Sequence, residues 1–198
     1  MEPETIGDKR TLVLVCCAPC CAGVVERMAQ EGTPADLFFY NPNIYPREEY
    51  EKRKAEVKRL AAHYGTKVVD SDYEPEKYEN VVKGLEDEPE RGRRCSACFL
   101  LRLMKTAEYA AANGYAAFTS TLGVSKHKDQ AQVDAEGAIA AAGHALPYLP
   151  LDTKGLNSDI IGKLGIYRQT YCGCKFSLHS KTQPSKMPPK EPKEQPCK

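Results

Sequence analysis

No stretch of this chain approaches the roughly 18 consecutive apolar residues that a membrane-crossing helix needs. Met1 to Arg10 is polar and acidic, unlike a secretory leader. Neither a membrane nor an export route is expected, and the expected location is cytoplasmic. No sign of charge dominates either: 28 Lys plus Arg stand against 27 Asp plus Glu. Overall charge therefore neither demands nor forbids a nucleic-acid partner, and only local clustering speaks to it. Internal repeats are missing as well, which sets aside solenoid and propeller architectures.

Cysteine, by contrast, is abundant. The 198 residues are 41% hydrophobic, enough for one domain with a core of its own, so disulfide staples are not needed. A reducing cytosol does not sustain such staples in most organisms, and nine cysteines there point to metal binding or redox chemistry. They fall in groups: Cys16-Cys17-x-x-Cys20-Cys21, Cys95-x-x-Cys98 and Cys172-x-Cys174, with Cys197 alone.

Thr11 to Val15 is a continuous apolar and β-branched run, read as a central strand buried on both faces that delivers Cys16 to its tip. Pro19 suits the first turn of a following helix that Gly32 ends. Ala35 to Tyr40 reads as a second strand, residues 47–64 as an amphipathic helix, and Lys67 to Asp70 as a third strand. Residues 74–84 look helical, Glu86 to Arg94 is a charged loop, and Ala97 to Asn113 is a helix opening at the second cysteine pair. Tyr115 to Thr121 and Ala145 to Leu149 are strands four and five, with Lys128 to Ala142 a helix between them. Residues 155–164 are a candidate short helix before the last cysteine pair. This alternation predicts an α/β fold, a parallel sheet of about five strands flanked by helices. Residues 11–180 form the domain, 1–10 a flexible N-terminus, and the Pro- and Lys-rich 181–198 a disordered tail.

Ligands of an open parallel sheet gather beyond the carboxyl ends of its strands, so the cysteine groups can meet at that edge. Cys-x-x-Cys and Cys-x-Cys each bring two thiolates near one metal or cluster. A structural zinc site accounts equally well for Cys95, Cys98, Cys172 and Cys174 taken alone. It has no use for Cys16, Cys17 and Cys20 in addition, and a thioredoxin-like reading of Cys17-x-x-Cys20 leaves the other four unexplained. Cys21 reads as a compact core residue and Cys197 as incidental.

Four segments carry a likeness to a known family: Leu14-Val15-Cys16-Cys17-Ala18-Pro19-Cys20; Phe39-Tyr40-Asn41-Pro42-Asn43-Ile44-Tyr45-Pro46; Arg94-Cys95-Ser96-Ala97-Cys98-Phe99; and Tyr167-Arg168-Gln169 with Tyr171-Cys172-Gly173-Cys174. Together they closely resemble the QueH-type epoxyqueuosine reductases over about residues 11–178. The resemblance implies a HUP-like domain and the last step of queuosine synthesis, loss of the epoxide oxygen of epoxyqueuosine at the tRNA wobble position. It also implies a [4Fe–4S] cluster beside a mononuclear iron, without cobalamin, on Cys16, Cys17, Cys20, Cys95, Cys98, Cys172 and Cys174. Cys20 is then assigned to the lone iron more than to the cluster, and the division of the other six stays open. Two departures from the family pattern are Gly123, where a bulkier apolar residue is more usual, and Lys126, in place of proline.

Within that reading Cys16, Cys20 and Cys174 are the expected catalytic cysteines, and Tyr167, Tyr171 and Asp152 are candidate proton donors. The expected partners are queuosine-accepting tRNAs with GUN anticodons and an electron donor that the sequence does not identify. Arg91, Arg93, Arg94, Arg102, Lys105, Lys126, Lys128 and Arg168 are candidate phosphate contacts, and Tyr40, Tyr45 or Phe99 could stack an everted base. Two other classes compete. A tRNA-thiolating HUP enzyme needs a Ser-Gly-Gly-type phosphate loop where this chain has Cys16-Cys17-Ala18-Pro19-Cys20-Cys21. A zinc-stabilised RNA-binding module would carry zinc and no sulfide.

Overall fold

The computed structural model describes residues 10–153, 156 and 158–179. The expectations for residues 1–9 and 181–198 lie outside the described residues. Arg10 is tied down, donating to the Ala35 carbonyl at 2.7 Å and to Asp36 Oδ1 at 2.7 Å.

In chain order the elements are β1 (Thr11–Leu14), α1 (Ala18–Glu31), β2 (Ala35–Phe39), α2 (Arg47–His63), β3 (Val68–Asp70) and α3 (Pro75–Val81). Then come α4 (Arg93–Ala112), β4 (Ala117–Ser120), a 3-10 turn (Leu122–Val124), α5 (Gln130–His144), α6 (Ile160–Lys163) and α7 (Lys175–His179). The strands form one parallel sheet in the order β3-β2-β1-β4. With β1 between β2 and β4, Leu14 aligns with Phe38 on one side and Ser120 on the other.

Burial follows the period of the strand. Leu12, Leu14, Phe38 and Phe118 pack on one face with Phe99, Leu103 and Ala107 of α4 and Val133 and Ala140 of α5. Val13, Val15, Leu37 and Phe39 pack on the other with α1, α2 and α6. Leu12, Val13 and Leu14 are fully buried, and truncating any one to alanine costs about 2–5 kcal/mol. Both faces being covered explains why the run is apolar without alternation. Among the described residues, no helix is long and apolar enough to cross a membrane.

The sheet has four strands rather than about five. Ala145 to Leu149 shrinks to a single parallel bridge, Phe118 with Tyr148, held by Phe118 N–H on the Pro147 carbonyl and Leu149 N–H on the Phe118 carbonyl. Ala145 is left-handed (φ 50), and Pro147 has no N–H to extend a ladder. Helix α4 opens one turn earlier than expected, with Gly92 as its N-cap and Glu88 Oε2 accepting from Arg93 N–H at 3.1 Å. Cys95 therefore lies inside its first turn. The candidate helix over 155–164 is reduced to α6, and residues 154, 155 and 157 are outside the described set. At the departure position Gly123, a Cβ would overlap the Gln130 amide, so Gln130 fills the space that a side chain there would use.

Candidate metal centre

Strand β1 ends at Leu14, and the extended backbone of Cys17 (φ −168, ψ 155) turns directly into α1 with Pro19 in its first turn. Cys16, Cys17 and Cys20 are therefore held at the carboxyl edge of the sheet, 3%, 1% and 9% exposed. Their sulfurs all lie within 4.8 Å of one another, with Cys16 and Cys17 at 3.7 Å. Hydrogen bonds with Cys17 and then Cys20 hold the Cys16 thiol well below its usual pKa, while bonds with Cys16 and then Cys17, with burial, push Cys20 well above. Burial, then the bond to Cys16, raises Cys17. The amino end of α1 adds its positive dipole to the same place. Cys21 is fully buried, its thiol donating to the Ala18 carbonyl at 3.5 Å, as a core residue would be.

The other groups come to this edge from two directions. Cys95 packs against the apolar cluster that contains Cys16, Cys17 and Cys20, while Cys98, in the second turn of α4, packs with Cys174, Tyr78 and Val82. Burial pushes the Cys98 thiol up to about 12, with Cys172, Cys174 and Cys95 adding to the rise. Burial also raises Cys172, which feels both Cys174 and Cys16. Gln169 Nε2 donates to Cys17 Sγ at 2.8 Å and so ties the last segment to the first.

Buried cations lie among these groups, Lys128, Arg102 and Arg53 among them. Lys128 is 6% exposed, and although burial works against its charge, Cys172, Cys16 and Cys20 more than offset that and raise its pKa. Arg102, 1% exposed, donates to the Tyr40 carbonyl at 3.3 Å and to Asn41 Oδ1 at 2.5 Å. Arg53, also 1% exposed, pairs with Glu49 at 2.7 Å. Buried charge is costly without compensation, and around Lys128 thiolate charge on Cys172, Cys16 and Cys20 is what offsets it. Among the described residues the thiols of Cys16, Cys17 and Cys20 alone form a group close enough to share one ion, and soft sulfur donors beside buried positive charge suit a thiophilic metal.

Several candidates lie elsewhere than expected. Arg94, Arg102 and Lys128 are not surface phosphate contacts: Arg94 is 4% exposed, its Nη1 donating to the carbonyls of Leu85, Glu86 and Glu88. Each points inward, Arg94 and Arg102 from α4 and Lys128 from the bend before α5, because its donors or charge are used inside. Tyr40 and Phe99 are buried too, so of the three stacking candidates Tyr45 alone, 53% exposed, is open to a base. Arg93, Lys126 and Arg168 are exposed. The Tyr167 hydroxyl is engaged with Glu49 Oε2 at 3.1 Å, and the Tyr171 hydroxyl donates to the Tyr45 carbonyl at 2.5 Å. Asp152 is exposed, its carbonyl accepting from Arg27 Nη1 at 3.0 Å.

Sequence reasoning gave no role to Arg53, Glu49 or Gln169. Arg53 was discoverable: it stands three residues after Tyr50 and four before Val57, on the apolar stripe of α2, where a lone charge marks a buried task.

Comparison with known proteins bears on the same stretch. The family model described as epoxyqueuosine reductase QueH matches residues 11–180. A Histophilus somni protein named epoxyqueuosine reductase QueH is 41% identical over 178 residues, covering 87% of this chain and 73% of its own length. Its Haemophilus influenzae namesake is 39% identical with the same coverage. A Thermotoga maritima protein of that name is 34% identical over 175 residues, 84% of this chain and 89% of its own. With its cysteine groups lying inside the matched region, the chain belongs to the epoxyqueuosine reductase QueH family.

Proposed function

We propose that this protein is a cobalamin-independent epoxyqueuosine reductase that converts the epoxide of epoxyqueuosine, at the wobble position of tRNA, into the alkene of queuosine. Family membership supports the reaction, and the observation that carries the metal chemistry is the buried triad of Cys16, Cys17 and Cys20, with Cys172 in the electrostatic reach of Cys16 and both Cys95 and Cys98 in that of Cys172 and Cys174. The reaction consumes two electrons and two protons and releases the epoxide oxygen as water, so an electron donor must supply the pair.

The compact triad sets one group of donors apart, which leaves the other four for a second group. Cys95, Cys98, Cys172 and Cys174 would hold a [4Fe–4S] cluster, and Cys16, Cys17 and Cys20 a single iron; bound there, the metals would supply electrons and Lewis acidity. The protein's own part is electrostatic. Lys128 and Arg102 hold positive potential in a site largely closed to water, where an oxygen gaining negative charge is favoured. Cys16, Cys20 and Cys174 are the cysteines whose loss should cost most. Tyr167, Tyr171 and Asp152 remain the candidate proton donors, Tyr167 with its hydroxyl on Glu49 Oε2 and Tyr171 with its hydroxyl on the Tyr45 carbonyl.

For tRNA, the exposed Arg91, Arg93, Lys126 and Arg168 offer phosphate contacts near the metal-binding edge, with Tyr45 available to stack. The deciding experiment is anaerobic incubation of the iron- and sulfide-reconstituted chain with epoxyqueuosine-containing tRNA and a low-potential reductant. Queuosine detected in digested tRNA supports the reading; unchanged epoxyqueuosine with a fully loaded metal site overturns it.

A further inference from the structure

Arg53 is among the largest side chains fully buried in this fold. A guanidinium taken out of water is destabilising by several kcal/mol unless its donors are engaged, so what it engages shows what it is for. Nε donates to Glu49 Oε1 at 2.7 Å, Nη1 to the Cys172 carbonyl at 3.1 Å and Nη2 to the Tyr171 carbonyl at 3.3 Å. The guanidinium carbon also lies 5.1 Å from the Tyr171 ring centroid. Glu49 is shared, since its other oxygen accepts from the Tyr167 hydroxyl. One ion pair on α2 therefore grips the segment carrying the last cysteine pair at three points.

The turn is shaped to meet it. Gly173 has φ +121, and a Cβ there would come within 2.9 Å of Arg53 Nη1 and 3.2 Å of Ile44 Cγ1. On the other side the Tyr45 N–H donates to the Gly173 carbonyl at 2.8 Å. The turn is thus pinned between α2 and the loop after β2, and Cys172 and Cys174 project from a backbone with little freedom left.

We propose that Arg53 is a positioning residue of the metal centre, holding the Tyr171–Gly173 turn so that Cys172 and Cys174 face Cys95 and Cys98 before any metal arrives. Ligands ordered in advance bind metal more tightly, because less conformational entropy is lost on binding. The inference rests on the seven-thiol site of the proposed function but not on epoxide reduction.

The test uses the full chain with Arg53→Lys, Arg53→Gln and Glu49→Gln. Lysine keeps the buried charge but cannot bridge both carbonyls and Glu49 at once. Each variant is stripped of metal, and alkylation of every cysteine by iodoacetamide is followed by mass spectrometry. Each is then reconstituted with ferrous iron and sulfide for metal counting and visible and electron paramagnetic resonance spectra. Expected in Arg53→Lys is alkylation of Cys172 and Cys174 about tenfold faster than in the parent, with Cys16 and Cys17 little changed, less iron bound and an altered spectrum. Glu49→Gln should shift the same two cysteines by a smaller factor, which keeps the test decisive if Arg53→Gln does not fold. Parent-like alkylation and iron content in Arg53→Lys and Glu49→Gln would overturn the proposal, and so would equal loosening of all seven cysteines, the mark of a general packing role. If the parent holds its metal but fails to convert tRNA, the epoxide reading fails and this inference can still be scored.

Discussion

The Gln169 side-chain amide donates to Cys17 Sγ across 2.8 Å, joining residues 152 apart in the chain. An N–H···S bond favours the thiolate over the thiol and draws electron density from a sulfur ligand, as hydrogen bonds to cluster sulfurs do. It also places the segment after α6 directly beside the first cysteine group.

Gln169→Leu keeps the bulk of the side chain and removes the donor. The chain should still fold and take up iron, while the midpoint potential of the loaded protein moves to a lower value and tRNA conversion slows about tenfold or more. Potentiometric titration followed optically measures the first effect, and an unchanged potential would deny Gln169 a part in tuning the site.

Lys128 sits where Cys172, Cys16 and Cys20 all feel its charge. In the metal-free protein Lys128→Met should slow iodoacetamide alkylation of Cys172 near pH 8 by about three- to tenfold, because the thiolate loses a stabilising neighbour. Lys128→Arg should restore most of the rate. Equal rates in all three proteins would mean that the ammonium does not address that thiol.

The arginines separate into two kinds with opposite signatures. Arg94→Ala and Arg102→Ala leave buried carbonyls or Asn41 Oδ1 without donors and should each cost about 1–3 kcal/mol, seen as a melting temperature lower by several degrees. Arg93→Ala, Lys126→Ala and Arg168→Ala should leave melting unchanged. Each should instead weaken tRNA binding and flatten its salt dependence by about one unit of slope. A melting loss in the second set, or a binding loss without melting loss in the first, would reverse the assignment.

How much of this was legible in the sequence follows from what each kind of signal reports. The β-α alternation, the buried central run and the grouping of the cysteines are local patterns, and they placed β1, α2 and the first cysteine group closely. Strand five was overread because Ala145 to Leu149 is apolar, whereas Pro147 and the left-handed Ala145 limit its pairing to one bridge. The start of α4 was misjudged because Glu88, five residues before Arg93, supplies the acceptor that the local sequence lacks. The cations were the larger miss. Charge alone suggests surface, and only their spacing on apolar stripes, Arg53 with Tyr50 and Val57 or Arg102 with Phe99 and Thr106, hints that they point inward. What a buried cation holds is a tertiary fact, since the Cys172 carbonyl is 119 residues from Arg53.

Removal of single cysteines bears on the division of ligands. Cys16→Ala and Cys174→Ala should each abolish tRNA conversion, with Cys174→Ala losing most acid-labile sulfide and Cys16→Ala retaining most of it. Cys197→Ala should match the parent in both. Equal sulfide in the Cys16 and Cys174 variants would contradict the two-part division.

The central claim, that seven thiols from three segments form one iron-binding centre, is tested most directly by counting iron and acid-labile sulfide in the anaerobically reconstituted full chain, with Mössbauer spectra to resolve the sites. The account predicts about five iron and about four sulfide per chain, with one iron distinct from the cluster. Stoichiometric zinc with no sulfide, or a metal-free chain that converts the tRNA, would contradict it.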